Sequence, residues 1–328
     1  MSNIIRVNNL KKYFPLTSGF FSTLVSRTPP KSLKAIDGIS FDIAEGETVG
    51  LAGESGCGKT TTAKVMVRLY EPSEGEILFQ GENIGHLKGN DLKQFRRHAQ
   101  MVFQDPYESL NPRYTVGNTV EEPLIIHGVR DQEERIERVV AALEMSGLRP
   151  AEDYIDRYPH EMSGGQRQRL AISRALVLKP KFVVADEPVS MLDVSIRASV
   201  LNLLRRLTDD LGLASLYISH DLSLIRYMCD RTAIMYLGRM VEIGLTEKVI
   251  TKPFHPYTQV LLAAVPSSDP EHRKMLLQIE GEVPSPIDLP LGCRFHTRCR
   301  KAMPICREAD PARVEVASNH FVECHLFN

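Results

Sequence analysis

The octapeptide Gly53, Glu54, Ser55, Gly56, Cys57, Gly58, Lys59, Thr60 fits G-x-x-x-x-G-K-[ST]. Glycines at these steps let consecutive backbone N–H groups point into one concavity, and a helix N-terminus behind them adds partial positive charge. Lys59 would reach the β and γ phosphates of a nucleotide, and the Thr60 hydroxyl would ligate Mg²⁺. Thr61 would bond a further phosphate oxygen. A second acidic element, "FVVADEP", ends an apolar run on Asp186 and Glu187. Ligands bind at the C-terminal edge of open α/β sheets. Asp186 there would hold Mg²⁺, and Glu187 would take a proton from an attacking water. Alone, the pair would read as an ordinary acidic helix cap.

A third stretch, "HEMSGGQRQRL", looks like another anion site. Ser163 followed by Gln166 has capping-box spacing, so a helix should start there. Gly164 and Gly165 leave its first N–H groups uncovered. The upstream cradle already surrounds this chain's own nucleotide, so the second site would face a different anion, or none.

These residues need elements to place them. "ETVGLAG" and "KFVVAD" read as buried strands, as does "ASLYIS", and "KTTTAKVMVRLY" as the helix after the cradle. Ile39, Phe41 and Ile43 alternate on one strand face. A helix is expected to bury Ile196, Val200, Leu203, Leu204, Leu207 and Leu211. Another places Ile136, Val139, Val140 and Leu143 on one face and ends at Gly147. "TAIMYLGRMVEIG" reads as a hairpin through Gly238. Strands alternating with helices predict a mainly parallel sheet covered on both faces. Residues 115–177 read as a helical insertion and residues 15–32 as an inserted loop, a partly ordered surface excursion first and, as the alternative, one whose Phe20, Phe21, Leu24 and Val25 dock elsewhere. A boundary falls near Thr251, after which the chain becomes proline-rich.

The 328-residue chain has a net charge of −1, which gives no basic field for nucleic acid. No apolar run is long enough to span a bilayer, and the first residues lack a signal-peptide core, so a cytosolic location is expected.

Taken together the motifs resemble the ATP-binding subunit of an ABC transporter. "MSGGQ" is similar to that family's LSGGQ signature, with Met162 in the leucine position. The resemblance implies an α/β P-loop NTPase core over residues 1–250, with an antiparallel β subdomain and the helical insertion. It implies two subunits packed head to tail, with Ser163, Gly164, Gly165, Gln166 and Asp193 reaching the partner's ATP. It makes Gln104 the Q-loop glutamine at the Mg²⁺ and water, His220 the switch histidine at the γ-phosphate, and Tyr13 the aromatic that stacks on adenine. Met191 departs from the usual SALD motif. "VFQDPYESLNPR", "HPYTQVLLAAVP" and "EVPSPIDLPLGCRFHTRC" further resemble the dipeptide/oligopeptide importers, in particular their F-type subunits. That branch implies a homologous ATPase partner, two permease subunits, an extracytoplasmic peptide-binding protein and a place on the cytoplasmic face of the bacterial inner membrane. Tyr107, Leu110 and Tyr114 would then lie near a permease groove.

Residues 251–328 form a small Cys-rich C-terminal domain in this reading. Cys293, Cys299, Cys306 and Cys324 crowd its end without the close pairs usual for structural zinc. Their irregular spacing suits a [4Fe–4S] cluster, which the resemblance also favours. Zinc with His296 or His325, and free thiols, stay open. Cys57, at a helix N-terminus, is expected to have a lowered pKa and to react with alkylating agents. A competing reading is a soluble ATPase acting on nucleic acid, with Arg294, Arg298, Arg300, Lys301 and Arg307 forming a basic knuckle. A third, an ATP-binding subunit that does not hydrolyse, fits poorly with Glu187.

Overall fold

The computed structural model describes residues 3–16, 31–264 and 281–328. The expected docking of Phe20, Phe21, Leu24 and Val25 lies outside them. The first strands are β1 (Asn3–Pro15), β2 (Ser32–Ala44), β3 (Thr48–Ala52), β4 (Glu74–Phe79), β5 (Glu82–Asn83) and β6 (Ala99–Val102). They are followed by β7 (Phe182–Asp186), β8 (Ala214–Ile218), β9 (Arg231–Tyr236), β10 (Arg239–Leu245), β11 (Arg313–Ala317) and β12 (His320–Glu323).

Two sheets result. One is antiparallel, in the order β2-β1-β4-β5; the other runs β11-β12-β10-β9-β3-β8-β7-β6. The run from β9 to β6 is parallel, with Val49 opposite Leu216 and Val184 opposite Leu216 in turn. The three remaining strands join antiparallel at one edge. The main sheet is therefore mixed, with the expected parallel run at its centre.

Every residue of β3, β7 and β8 is buried, which is why they read as continuous apolar runs. Alternate side chains serve different cores. Leu216 and Ile218 pack with Val49, Leu51, Ile5 and Ile36 between the two sheets. Tyr217 points the other way, to Val200, Leu204 and Leu207 of the helix Val194–Leu211. Each such apolar side chain contributes roughly 1.5–3 kcal/mol by leaving water. Leu211 departs from expectation: it closes that helix at 43% exposure, beyond the core's edge.

The insertion holds helices Val116–Ile126, Gln132–Met145 and Gly164–Leu176 around their own core of Val120, Leu143 and Leu170. Val139 and Leu143 are buried as expected, but Ile136 is 48% exposed. Gly147 follows the second of these helices at φ +79°, a conformation that suits glycine.

The chain beyond Thr251 returns to the same framework. In β12, Val322 pairs with Glu242 and Phe321 with Ile243 of β10. Tyr257 and Phe295 enter the core that holds Tyr236 and Leu237. A buried Glu242 knits this junction: its carboxylate accepts the Phe254 and His255 N–H groups, both at 2.9 Å, and faces His320 Nε2 at 2.8 Å.

Candidate nucleotide site

β3 delivers the chain to Gly53, and the helix Lys59–Met66 leaves from Gly58. These two glycines have φ +153° and +109°. A Cβ at Gly53 would stand 2.3 Å from the Met235 carbonyl oxygen, and one at Gly58 2.2 Å from that of Ala35. Only glycine allows both the turn and the close approach. Lys59 arches back, donating to the carbonyls of Gly53 at 2.7 Å and Glu54 at 3.0 Å. Ser55, Gly56 and Thr60 stand exposed at the rim of the loop, and Thr61 is half-buried behind them.

The parallel strands bring the acidic pair to the same mouth. Thr60 Oγ1 donates to Asp186 Oδ1 at 3.3 Å. Burial pushes the Asp186 carboxyl above the usual range, the Thr60 hydrogen bond opposes this, and the Glu187 charge adds to it. Thr60, Gln104 and Asp186 line one cleft of about 420 Å³ with Lys64 and Phe103. A hydroxyl, an amide oxygen and a buried carboxylate are hard oxygen donors of the kind Mg²⁺ takes.

Glu187 is not a simple helix cap. It sits at φ +44°, its N–H held by the Ile218 carbonyl at 3.0 Å. A non-glycine residue in this region costs of order 1–3 kcal/mol, and such strain concentrates at functional sites. Gln104 Nε2 donates to one Glu187 oxygen at 3.1 Å. His220 Nδ1 stands 3.1 Å from the other. Two residues, from beyond the two strands that flank β7, thus converge on the one carboxylate that β7 delivers.

The second anion site is built as its spacing predicts. Ser163 accepts from the Gln166 N–H at 3.3 Å, and Gln166 Oε1 accepts from the Ser163 N–H at 2.9 Å. Ser163 is exposed and Met162 is buried in the helical core. A Cβ on Gly165 would come within 2.6 Å of Ile196 Cγ2, so this helix lies tight against the one that begins at Val194. Asp193 is exposed just before it, between Met191 at 60% and Val194 at 80% exposure. Tyr107 and Tyr114 are also exposed, while Leu110 is buried in the helical core and presents nothing to a groove.

Tyr13 donates its hydroxyl to Asp37, and Lys34 Nζ lies 5.7 Å from its ring centroid. Burial, then the Asp37 hydrogen bond, pushes the phenol upward. Burial also pushes up the Asp37 carboxyl, but Tyr13 and Arg294 outweigh it and the net direction is down.

Two expectations need correction. Cys57 is 3% exposed, with its sulfur turned under Gly53, where a Cβ would stand 2.7 Å from it. Burial raises its thiol pKa, and Lys59 only partly opposes that, so Cys57 is not activated. Arg294 and Arg298 are not a knuckle for nucleic acid. They are 8% and 9% exposed, and their guanidinium groups pair with Asp37 and Glu54. Among the described residues no group of three or more His, Cys, Asp or Glu side chains is placed to hold a metal ion. His296 Nδ1 and His325 Nε2 each sit 2.8 Å from a backbone carbonyl, of Cys293 and Ala309. The four tail cysteines are free thiols near enough to feel one another: burial, then the charges of Cys306, Cys324 and Cys299, pushes Cys293 up to about 11.

Asp37, Tyr257, Arg294 and Arg298 contact the site and were not expected there. No spacing marks the two arginines, whose carboxylate partners lie 244 and 257 residues away.

Comparison with known proteins agrees with this geometry. Residues 36–190 match the ABC transporter family, and residues 241–306 match the oligopeptide/dipeptide transporter C-terminal region. The chain is 48% identical to the oligopeptide transport ATP-binding protein AppF of Bacillus subtilis, over 99% of this chain and 98% of that one. The chain belongs to the ABC transporter ATP-binding family. It is also 45% identical to the dipeptide transport ATP-binding protein DppF of Haemophilus influenzae, over 98% and 96% of the two chains. Among solved structures it resembles the dimeric, post-hydrolysis ATP-binding cassette MJ0796 bound to ADP and Pi. That likeness has 28% identity and a TM-score of 0.64, covering 74% of this chain and 98% of that chain. The fold is thus that of an ABC ATPase cassette, and the chain is an ATP-hydrolysing transporter subunit. Among the described residues no helix is long and apolar enough to cross a membrane.

Proposed function

We propose that this ABC subunit hydrolyses ATP to power import of di- and oligopeptides. It would work at the cytoplasmic face of a bacterial inner membrane, with a homologous ATPase subunit, two permease subunits and an extracytoplasmic peptide-binding protein. The names of the relatives support the cargo class. Residues 1–250 act as the ATPase domain and 251–328 as the C-terminal domain of the importer type.

One observation carries the chemistry: Glu187, strained and held between Gln104 and His220, beside Asp186 at the mouth of the glycine cradle. Lys59 leaves the loop carbonyls for the β and γ phosphates, and the N–H groups from Ser55 to Thr61 line the rest of the cradle. Glu187 takes the proton as water oxygen bonds to the γ phosphorus and the bond to the β,γ-bridging oxygen breaks. His220 and Gln104 hold the carboxylate and the water in line. Thr60, Gln104 and Asp186 would hold Mg²⁺, which when bound neutralises charge on the phosphates. The anion facing Ser163, Gly164, Gly165 and Gln166 is the γ-phosphate in the partner's cradle. Asp193 lies on that interface and Tyr13 stacks on the base.

Cys293, Cys299, Cys306 and Cys324 are proposed to ligate a [4Fe–4S] cluster, which would staple a lobe with little core of its own. The neighbouring thiols all raise Cys293, and the two imidazoles are turned to carbonyls, so the donor set on offer is sulfur alone. Anaerobically purified protein should carry about four iron atoms per chain and absorb broadly in the visible. Iron-free, colourless protein would reject the cluster.

The function is tested by purifying this chain in detergent with its permeases and reconstituting the complex in vesicles with the binding protein. ATP-dependent uptake of a labelled dipeptide or oligopeptide is expected. ATP turnover without peptide uptake, or with uptake of another solute only, removes the cargo assignment.

A further inference from the structure

The C-terminal lobe touches the nucleotide site through Tyr257 and through two arginines that neighbour cysteines. Arg298 grips Glu54 with both terminal nitrogens, at 2.9 and 3.3 Å. It also reaches the Tyr236 hydroxyl at 3.3 Å. Glu54 is held a second time, through its backbone: its N–H donates to the Tyr257 hydroxyl at 2.9 Å. Tyr257 is fully buried and wedged against Tyr236 and Phe295, with ring centroids 4.7 and 5.3 Å away. Side chain and main chain of one cradle residue are therefore both clamped from beyond Thr251. At the other end of the site, Arg294 pairs with Asp37, which in turn holds the Tyr13 hydroxyl. Arg294 also donates to the Leu237 carbonyl, which fixes it to the turn after β9.

We infer that Arg294 and Arg298 are positioning residues of the nucleotide site, through which the C-terminal lobe sets the affinity for ATP. The inference rests on the reading of the cradle and of Tyr13 given above. The physical reason is preorganisation. Backbone N–H groups grip phosphates only if the loop already holds its turn, and a loop held in its bound conformation binds more tightly because less ordering is left to do. A bidentate, partly buried arginine–carboxylate pair is well suited to hold such a turn. The two arginines divide the work: Arg298 acts on the phosphate end and Arg294 on the base end. Neither touches the reacting atoms, so each should act on binding and leave the chemical step alone.

The test uses the full chain, a fluorescent ATP analogue, and competition by ATP or by inorganic tripolyphosphate. Arg298→Ala should weaken ATP and tripolyphosphate alike, by about tenfold, the scale of one charge-assisted bidentate pair. Arg294→Ala should weaken ATP by about fivefold and leave tripolyphosphate within about twofold, because that probe has no base to place. In both variants KM for ATP rises while kcat at saturation stays within about twofold, and Arg298→Lys recovers part of the loss. If either arginine variant fails to fold, Glu54→Gln or Asp37→Asn breaks the same pair from the other side. Parent affinity for ATP in folded variants would show that the arginines only glue the lobe in place and would overturn the inference. So would equal losses of tripolyphosphate binding in both variants, which would remove the division of labour. Failure of the parent chain to bind ATP would instead sink the nucleotide-site reading on which the inference stands.

Discussion

Gln104 and His220 stand on opposite sides of Glu187, each 3.1 Å from one of its carboxylate oxygens. The two residues lie beyond β6 and β8, and Glu187 follows β7 between them. Parallel strand order therefore aims the carboxylate, and the residue's positive φ holds it there.

A carboxylate held this way serves as a base only if it can take a proton. Glu187→Gln keeps the hydrogen-bond reach of the side chain and removes that ability. Steady-state ATP hydrolysis should fall about 10²–10⁴-fold, while nucleotide binding persists and a closed dimer accumulates. Turnover near the parent value would assign the base elsewhere.

Ser163 has two roles that separate experimentally. As a helix cap, its loss in Ser163→Ala should lower stability by about 1 kcal/mol, visible as a modest fall in Tm. As a contact to the partner's nucleotide, its loss should cut hydrolysis far more than that. Turnover per chain in the parent should rise with protein concentration. Concentration-independent turnover, with Ser163→Ala fully active, would argue for a site complete within one chain.

Burial makes Cys57 a poor target. Iodoacetamide at neutral pH should label it much more slowly than free cysteine, as followed by mass spectrometry of its peptide. Rapid labelling that ATP blocks would mean that the loop opens far enough to expose the sulfur.

The junction beside Glu242 should make the protein sensitive to acid. His255 is 1% exposed, and burial lowers its pKa to about 4, with the Glu242 charge opposing. Its neutral Nδ1 accepts the Tyr257 N–H at 3.0 Å. Between about 6.5 and about 4 the unfolded imidazole binds a proton and the folded one does not, so stability falls as pH falls. The loss across that window is on the order of 3 kcal/mol, with a slope near one proton. Urea titrations from pH 7 to pH 4.5 should show this slope, and His255→Gln should flatten it. An unchanged slope in that variant would place the proton uptake on another group.

How much of this was legible beforehand follows from which contacts are local. Gly58, Lys59 and Thr60 were readable because a phosphate cradle is made by consecutive residues with fixed backbone needs. The Ser163 capping box spans three residues and formed as written. Ile136 and Leu211 misled because periodicity reports a face, and only the neighbouring elements decide how far along the helix that face stays covered.

The sequence by itself determined the cradle, the strand that carries Asp186, the capped helix at Ser163 and the family, since each is written in short-range spacing and backbone preference. Only the tertiary structure decided that Cys57 turns inward, that β12 extends the main sheet, and that Arg298 reaches back 244 residues to Glu54. Charge partners so distant leave no mark in spacing; they exist because the parallel strands and the returning tail meet at one loop, where burial makes a charge without an opposite partner costly.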